Sequence, residues 1–301
     1  MTEQQPYVTD EASGESWTLW LGDSCERMGE IADEAVDLSV YSPPFASLFT
    51  YSPSERDLGN SATREQFIEH YGFIIRENLR ITKPGRICCV HVQQLATTKA
   101  VHGYTGLTDF RGDVIRAYLD GGWHFHGEVT VNKDPQAQAI RTKAHALTFA
   151  TKNRDSSATR PALADYLLIF RKPGDNAVPI KNDVSNEEWI EWAQPVWWDI
   201  KETNTLNVRV ARDEADERHI CPLQLDFIER CVRLWSNHGE TVFTPFAGIG
   251  SEVYVACKLG RVGHGIELKP SYWNTAVANL RNLEAELTAP SLMDLLDGEP
   301  A

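Results

Sequence analysis

The sequence predicts an α/β fold, with a mostly parallel sheet, helices on both faces and an inserted lobe. Three observations carry this expectation. Short β-branched and apolar runs alternate with amphipathic helical runs along much of the chain. Late in the chain, a strand at 241–243, the turn Gly248-Ile249-Gly250, a helix through Leu259 and a strand at 262–266 follow one another and end on Glu267. Early in the chain, a buried run at 36–41 stops abruptly at Ser42-Pro43-Pro44-Phe45.

In order along the chain, residues 1–16 are polar and acidic and are expected to form a disordered tail. Trp17-Thr18-Leu19-Trp20-Leu21 alternates as a strand does, and Ser24 in Gly22-Asp23-Ser24 is placed to cap a short helix reaching Ile31. After the strand at 36–41, a loop rich in Ser, Tyr and Pro extends to residue 62. Thr63-Arg64-Glu65-Gln66 fits a capping box, and Phe67, Tyr71, Ile74, Ile75 and Leu79 recur at helical spacing. Lys83-Pro84-Gly85 reads as a turn, 86–94 as a buried strand, 112–119 as a helix, and 123–131 and 165–171 as strands. The stretch to 218 is acidic, holds Trp189, Trp192, Trp197 and Trp198, and shows no clear period. It is expected to be the inserted lobe, with its tryptophans as a small core. From 222 to 235, Leu223, Phe227, Ile228, Cys231, Leu234 and Trp235 recur with helical spacing, and Pro222 is tolerated in a first turn. A last helix over 270–287 leaves 288–301 as a tail.

Composition narrows the function classes. The 301-residue chain is 42% hydrophobic, enough for a proper core, and carries a formal net charge of −14. With that balance, any nucleic-acid binding needs a local basic surface. Residues 132–160 supply one: Lys133, Arg141, Lys143, Lys152, Arg154 and Arg160 stand against only Asp134 and Asp155. A solvated loop would also look like this. Beside a candidate site in an acidic chain, it is the expected footprint of a phosphate backbone. No apolar run approaches a membrane span, and the first residues are unlike a signal peptide. Cys25, Cys88, Cys89, Cys221, Cys231 and Cys257 form no CxxC pair, so a reduced, cytoplasmic protein without structural zinc is expected.

Two motifs carry chemistry. Ser42-Pro43-Pro44-Phe45 puts a hydroxyl, stiff carbonyls without local donors and an aromatic ring at the C-terminal end of a strand, where open α/β sheets bind ligands. Pro-Pro also occurs in purely structural turns, and these four residues alone do not decide. Gly248 and Gly250 allow a ligand close to the backbone, and Glu267 falls where an acid binds ribose hydroxyls. The dinucleotide pattern needs a third glycine where this chain has Val253, which argues against NAD or FAD. A nucleoside without a pyrophosphate, such as S-adenosylmethionine, does not need it.

With Phe246-Ala247-Gly248-Ile249-Gly250 late and Ser42-Pro43-Pro44-Phe45 early, the sequence resembles the amino-group DNA methyltransferases. Specifically, it resembles their permuted β class, in which the catalytic motif precedes the cofactor motif. The likeness runs over 21–45, 83–92 and 219–280. It implies a Rossmann-like, S-adenosylmethionine-dependent methyltransferase fold: a catalytic half over 17–164, a target-recognition lobe over 165–218 and a cofactor-binding half over 219–287. It also implies that Asp23 meets the cofactor's adenine, that Phe246, Gly248, Gly250 and Ser251 surround its methionine part, and that Glu267 holds its ribose. His219-Ile220-Cys221-Pro222-Leu223 corresponds loosely to the remaining cofactor motif, making His219 and Pro222 candidates. Thr244 stands where the family usually has an acid holding the cofactor's amino end. Threonine accepts a hydrogen bond without bringing charge, so either affinity falls or another acid compensates.

The Ser-Pro-Pro-Phe form is typical of enzymes acting on the N4 amino group of cytosine, and Asp-Pro-Pro-Tyr of those acting on N6 of adenine. The implied function is therefore N4 methylation of a cytosine flipped out of double-stranded DNA. Ser42 and the Pro43 carbonyl would accept from the amino hydrogens, next to the stiff Pro44, and Phe45 would stack on the base. Tyr41, Phe49 and Tyr51 are candidate pocket walls. Methylation at the ring carbon would need a cysteine after a proline, and Cys221-Pro222 has the reverse order. Adenine N6 is the main alternative. A catalytically impaired DNA-binding relative, and a methyltransferase for RNA, protein or a small molecule, stay open. No nuclease motif stands out, so a solitary methylase is expected, and the class's frequent dimerisation makes a homodimer one expected state.

Overall fold

The computed structural model describes residues 7–44, 58, 61, 63–97, 99–206 and 222–289. Among them the strands are β1 (Asp10–Ser13), β2 (Trp17–Leu21), β3 (Val36–Tyr41), β4 (Thr82–Gln93), β5 (Leu95–Thr97), β6 (Gly106–Thr108), β7 (His124–Val131), β8 (Asp165–Arg171), β9 (Val196–Trp197), β10 (Thr241–Thr244) and β11 (Val262–Glu267). The helices are α1 (Ser24–Arg27), α2 (Arg64–Ile81), α3 (Lys99–His102), α4 (Phe110–Asp120), α5 (Pro135–Thr142), α6 (Phe149–Arg154), α7 (Asn186–Trp192), α8 (Leu225–Trp235), α9 (Ser251–Lys258) and α10 (Pro270–Thr288).

Nine strands form one sheet in the order β1-β2-β11-β10-β3-β4-β8-β7-β9. β2, β11, β10, β3 and β4 are parallel, and β8 runs antiparallel between β4 and β7. Two crossovers leave the middle of this order in opposite directions, β10–α9–β11 to one side and β3–α2–β4 to the other. The C-terminal ends of β10 and β3 therefore flank a topological switch point, the usual ligand crevice of an open α/β sheet.

Helices cover both faces, so the central strands are buried on both sides. Tyr71, Ile75, Val114 and Tyr118 of α2 and α4 pack with Cys88, Val90 and Phe170. On the other face, α8 packs through Phe227, Ile228 and Cys231, and α9 and α10 through Val253, Cys257, Ala276 and Leu280. α9 lies close on β11 because the strand is glycine-rich there: a Cβ on Gly263 would stand 2.7 Å from a Val253 methyl. The close contact is made from the strand side, so Val253 is accommodated without a third helix glycine.

Polar residues of β3 are tied down rather than exposed. Ser39 donates to Asn78 Oδ1 on α2 (2.8 Å). Asp37 accepts the Thr241 N–H (3.0 Å) and lies 2.7 Å from Lys83 Nζ. Arg86, fully buried, reaches both carboxylate oxygens of Glu240 at 2.9 and 2.5 Å. Burial pushes the Glu240 carboxyl up, but the Arg86 guanidinium holds it below its ordinary value. This cluster joins β3, β4 and β10 at the end opposite the crevice.

Several stretches differ from the sequence expectation. Part of the presumed tail forms β1, an edge strand paired antiparallel with β2; residues 1–6 lie outside the described residues. Asp23, not Ser24, caps α1, accepting the Cys25 N–H at 2.9 Å. The presumed turn at 83–85 belongs to β4, where Gly85 (φ +71°) kinks the strand and donates to Lys172 O (3.1 Å). Residues 132–160 are not a loop but contain α5, α6 and short 3₁₀ turns. β8, the first strand of the presumed lobe, is interior to the main sheet, and Trp192 and Trp197 join the α8 core. Local hydrophobicity identified β8 as a strand; its insertion between β4 and β7 follows from long-range pairing. Helix α8 begins at Leu225, beyond Pro222. Residues 207–221 and 290–301 lie outside the described residues.

Candidate active site

The switch point brings together motifs from both halves of the chain. Ser42-Pro43-Pro44 leaves β3, and Pro245-Phe246-Ala247-Gly248-Ile249-Gly250 leaves β10, its parallel neighbour. The Gly22-Asp23 turn joins them, because Ser24 Oγ donates to Pro245 O (2.5 Å) and Gly22 N–H to Glu267 O (2.9 Å). Asp23, the glycine turn, Glu267 and Ser42 therefore border one crevice.

The glycine turn is built around Glu267. One carboxylate oxygen accepts the Gly248 N–H (2.7 Å) and the other the Lys269 N–H (2.8 Å). Gly248 sits at φ +54° with nothing within 4 Å of where a Cβ would stand, so the turn presents open space there. Gly250 (φ +89°) starts α9, and a Cβ there would lie 3.0 Å from Ala276. Ser251 Oγ is buried without a partner among the described residues. The Phe246 ring meets Tyr41 edge-on at 5.7 Å. Thr244 is fully buried and accepts the Phe246 N–H (3.3 Å), so its hydroxyl is turned into the motif's own backbone. Pro222 precedes α8; His219 lies outside the described residues. Sequence reasoning missed Glu252, a carboxyl 5% exposed in the first turn of α9. Burial and then the Glu267 charge push it up to about 8. Its signal was an acid inside the apolar run after Gly250.

Ser42 and Pro44 are half-buried, Pro43 is buried, and Phe45 lies outside the described residues, as do Phe49 and Tyr51. Tyr41 is fully buried and meets the Tyr71 and Tyr118 hydroxyls, so it is core rather than pocket wall. Behind Ser42 stands His91, which the sequence reading passed over as part of an apolar strand. Ser42 Oγ lies 3.1 Å from His91 Nδ1 and 3.2 Å from its carbonyl oxygen. His91 Nε2 lies 3.0 Å from Asp165 Oδ2, which also takes Lys133 Nζ at 2.7 Å. Gln93 donates to Asp165 Oδ1 (2.7 Å). Burial raises the Asp165 carboxyl, but His91 and Lys133 outweigh it and hold it below its ordinary value.

Lys133 is thus a correction to the expected phosphate-contacting set. It is 6% exposed and neutralised by Asp165, because the chain leaving β7 turns it inward. Lys143, Lys152 and Arg154 are exposed and Arg160 is half-buried; the Arg141 side chain lies outside the described ones. A cavity of about 490 Å³ opens here, lined by Lys133, Phe149, Lys152 and Arg160 among others. Its Lys133 wall adjoins the Asp165 and His91 contacts behind Ser42.

A family model described as DNA methylase, of the N6/N4 type, matches residues 36–278. The chain belongs to that family. Among relatives of this chain, the Type II methyltransferase M.BglI of Bacillus subtilis is 32% identical over 127 residues, covering 40% of this chain and 33% of the relative. The chain thus aligns with about a third of that relative's length. The Type II methyltransferase M.MjaI of Methanocaldococcus jannaschii is 22% identical over 279 residues, covering 83% of this chain and 86% of the relative. In structure, the chain resembles a Thermus thermophilus protein assigned as a DNA modification methylase and complexed with S-adenosyl-L-methionine. The TM-score is 0.67 at 22% identity, over 90% of this chain and 94% of the other. The fold is the Rossmann-like methyltransferase fold. Among the described residues no helix is long and apolar enough to cross a membrane.

Glu252 gives this site a pH signature. Its carboxyl is held protonated in the folded chain at about 8 against an ordinary 4.5, so its favourable contribution is complete below 4.5 and is lost as pH rises towards 8. Thermal melts of the ligand-free chain should fall across that range, and Glu252→Gln should flatten the fall. An equally steep fall in the variant would assign the pH dependence to other groups.

Proposed function

We propose that the chain is a DNA methyltransferase that moves a methyl group from S-adenosylmethionine to the exocyclic N4 amino group of a cytosine flipped out of duplex DNA. The observation that carries this reading is the meeting of Ser42-Pro43-Pro44 with the glycine turn on adjacent parallel strands. Family membership, the Type II methyltransferase relatives and the cofactor-bound structural neighbour support it.

The crevice fits such a cofactor. The open space at Gly248 and the unpartnered Ser251 hydroxyl suit the methionine part, next to Phe246 and Gly250. In this reading Glu267 meets the ribose hydroxyls, and Asp23 lies at the adenine side. Thr244 is committed to its own backbone, so in this reading Glu252 supplies the missing acid. No Lys or Arg pairs with Glu252 among the described residues, and an ammonium group beside it would restore its charge. When bound, the cofactor supplies an electrophilic methyl group; the protein's part is to prepare the acceptor nitrogen.

That nitrogen is a poor nucleophile because its lone pair is delocalised into the ring. Ser42 Oγ and the Pro43 carbonyl accept its two hydrogens, which favours a pyramidal nitrogen with a directed lone pair. Both acceptors are fixed by the end of β3 and the prolines before substrate arrives, so little reorganisation accompanies the reaction. Phe45 stacks on the base, and stacking offsets part of the few kcal/mol needed to unpair it. Arg141, Lys143, Lys152, Arg154 and Arg160 face the phosphates. Target reading is assigned to this basic segment together with the stretch after β8.

Nucleoside digests of DNA modified by the chain should contain N4-methylcytosine; N6-methyladenine as the sole product would replace the cytosine reading. Ser42→Ala should lower turnover by about 10²- to 10³-fold with cofactor binding kept. Full activity in that variant would remove Ser42 from the chemistry. Calorimetry on Glu252→Gln should show cofactor affinity reduced by about tenfold or more, the scale of a charged hydrogen bond. Unchanged affinity would exclude Glu252 from the cofactor site.

A further inference from the structure

Four neighbouring strands place polar side chains at one edge of the sheet: Ser42 after β3, His91 near the end of β4, Asp165 opening β8 and Lys133 after β7. Because β8 is antiparallel to β4 and β7, its first residue stands opposite their last, Gln93 and Val131. A line of polar contacts therefore runs from the half-exposed Ser42 hydroxyl into the protein. Buried polar groups of this kind cost stability unless each is satisfied. In a strand otherwise filled by Ile87, Cys88, Cys89, Val90 and Val92, an apolar residue at 91 would serve packing alone.

We infer that His91, held by Asp165, positions the Ser42 hydroxyl and takes up the proton that methylation displaces from the target amino group. This rests on the methyl-transfer reading above. Among the described residues, the acceptors beside the Ser42 hydroxyl are the His91 Nδ1 atom and carbonyl oxygen. The ionised Asp165 lies 3.0 Å from Nε2, which favours the tautomer with its proton there and leaves Nδ1 to accept. Ser42 therefore donates inward and turns its lone pairs to the pocket, the orientation needed to accept from an amino hydrogen.

The protons balance. A neutral amino nitrogen that gains a methyl group becomes cationic and must lose one hydrogen as a proton. That proton passes to Ser42 Oγ as the Ser42 hydroxyl proton passes to His91 Nδ1, so serine is regenerated and no bond to the enzyme forms. The imidazolium is stabilised by Asp165 and then releases its proton to solvent. Among the described residues, Asp165 from β8 faces His91, and Lys133 after β7 faces Asp165. α8 presents the Phe227 ring edge-on at 5.2 Å, and further along the thiols of Cys89 on β4 and Cys231 on α8 meet. Lys133 balances Asp165 before the transfer, and Gln93 fixes its second oxygen.

The test is single-turnover transfer from methyl-tritiated S-adenosylmethionine to unmethylated phage DNA, from about pH 5 to about pH 9. The wild-type rate should fall on the acid side, where a protonated His91 no longer accepts from Ser42. His91→Asn keeps an acceptor near the Nδ1 position but does not titrate. It should slow transfer by about 10²-fold and abolish the acid limb, with cofactor affinity by calorimetry unchanged. Because His91 acts through Ser42, adding His91→Asn to Ser42→Ala should cost nothing further. A wild-type chain that methylates DNA without an acid limb, or additive losses in the double variant, overturns this inference alone. A wild-type chain that transfers no methyl group to DNA overturns the functional reading with it.

Discussion

The parallel pairing of β3 with β10 is the contact on which the rest of the molecule depends. It sets Leu38 beside Val242 and Ser39 beside Phe243, and so delivers two motifs from opposite ends of the chain to one crevice. The register is held from the far end, where Asp37 accepts the Thr241 N–H and Arg86 grips Glu240 just before β10. A slip of one residue would displace Ser42 by about 3.3 Å and reverse the faces of the strand. That is a full hydrogen-bond length, enough to separate the hydroxyl from its partners and from the glycine turn.

On either side of this pairing the sheet divides its work. In the proposed function, β11 and β2, which lead to Glu267, Gly22 and Asp23, form the cofactor side. In the same proposal, β4, β8 and β7, with His91, Asp165 and Lys133, form the side of the acceptor base. The antiparallel β8 matters for the second half, since only a strand entering from the crevice end can put its first residue behind Ser42. Lys133 then connects this interior line to the basic segment, because its ammonium serves Asp165 while its side chain walls the cavity with Lys152 and Arg160. In the proposed function, duplex contact and acceptor positioning share one structural element.

Much of the site was legible in the sequence because its signals are local. Pro43-Pro44 ends a strand through covalent geometry, Gly248 and Gly250 mark a turn that needs positive φ, and Glu267 closes the next strand. The acid and histidine behind Ser42 were not legible in this way. His91 lies in an apolar run and Asp165 far along the chain, and only the strand order makes them neighbours. Lys133 was misread for a related reason: composition records a charge but not the direction of its side chain. The segment from 165 was assigned to a separate lobe because acidity and tryptophans follow it, whereas β8 and Trp197 complete the main core.

Ultraviolet cross-linking of methyl-tritiated S-adenosylmethionine, followed by peptide mapping, tests most directly whether the two motifs form one site. The account predicts label in peptides spanning 41–44 and 246–250, displaced by unlabelled S-adenosylhomocysteine. Displaceable label confined to peptides outside those two stretches would contradict it.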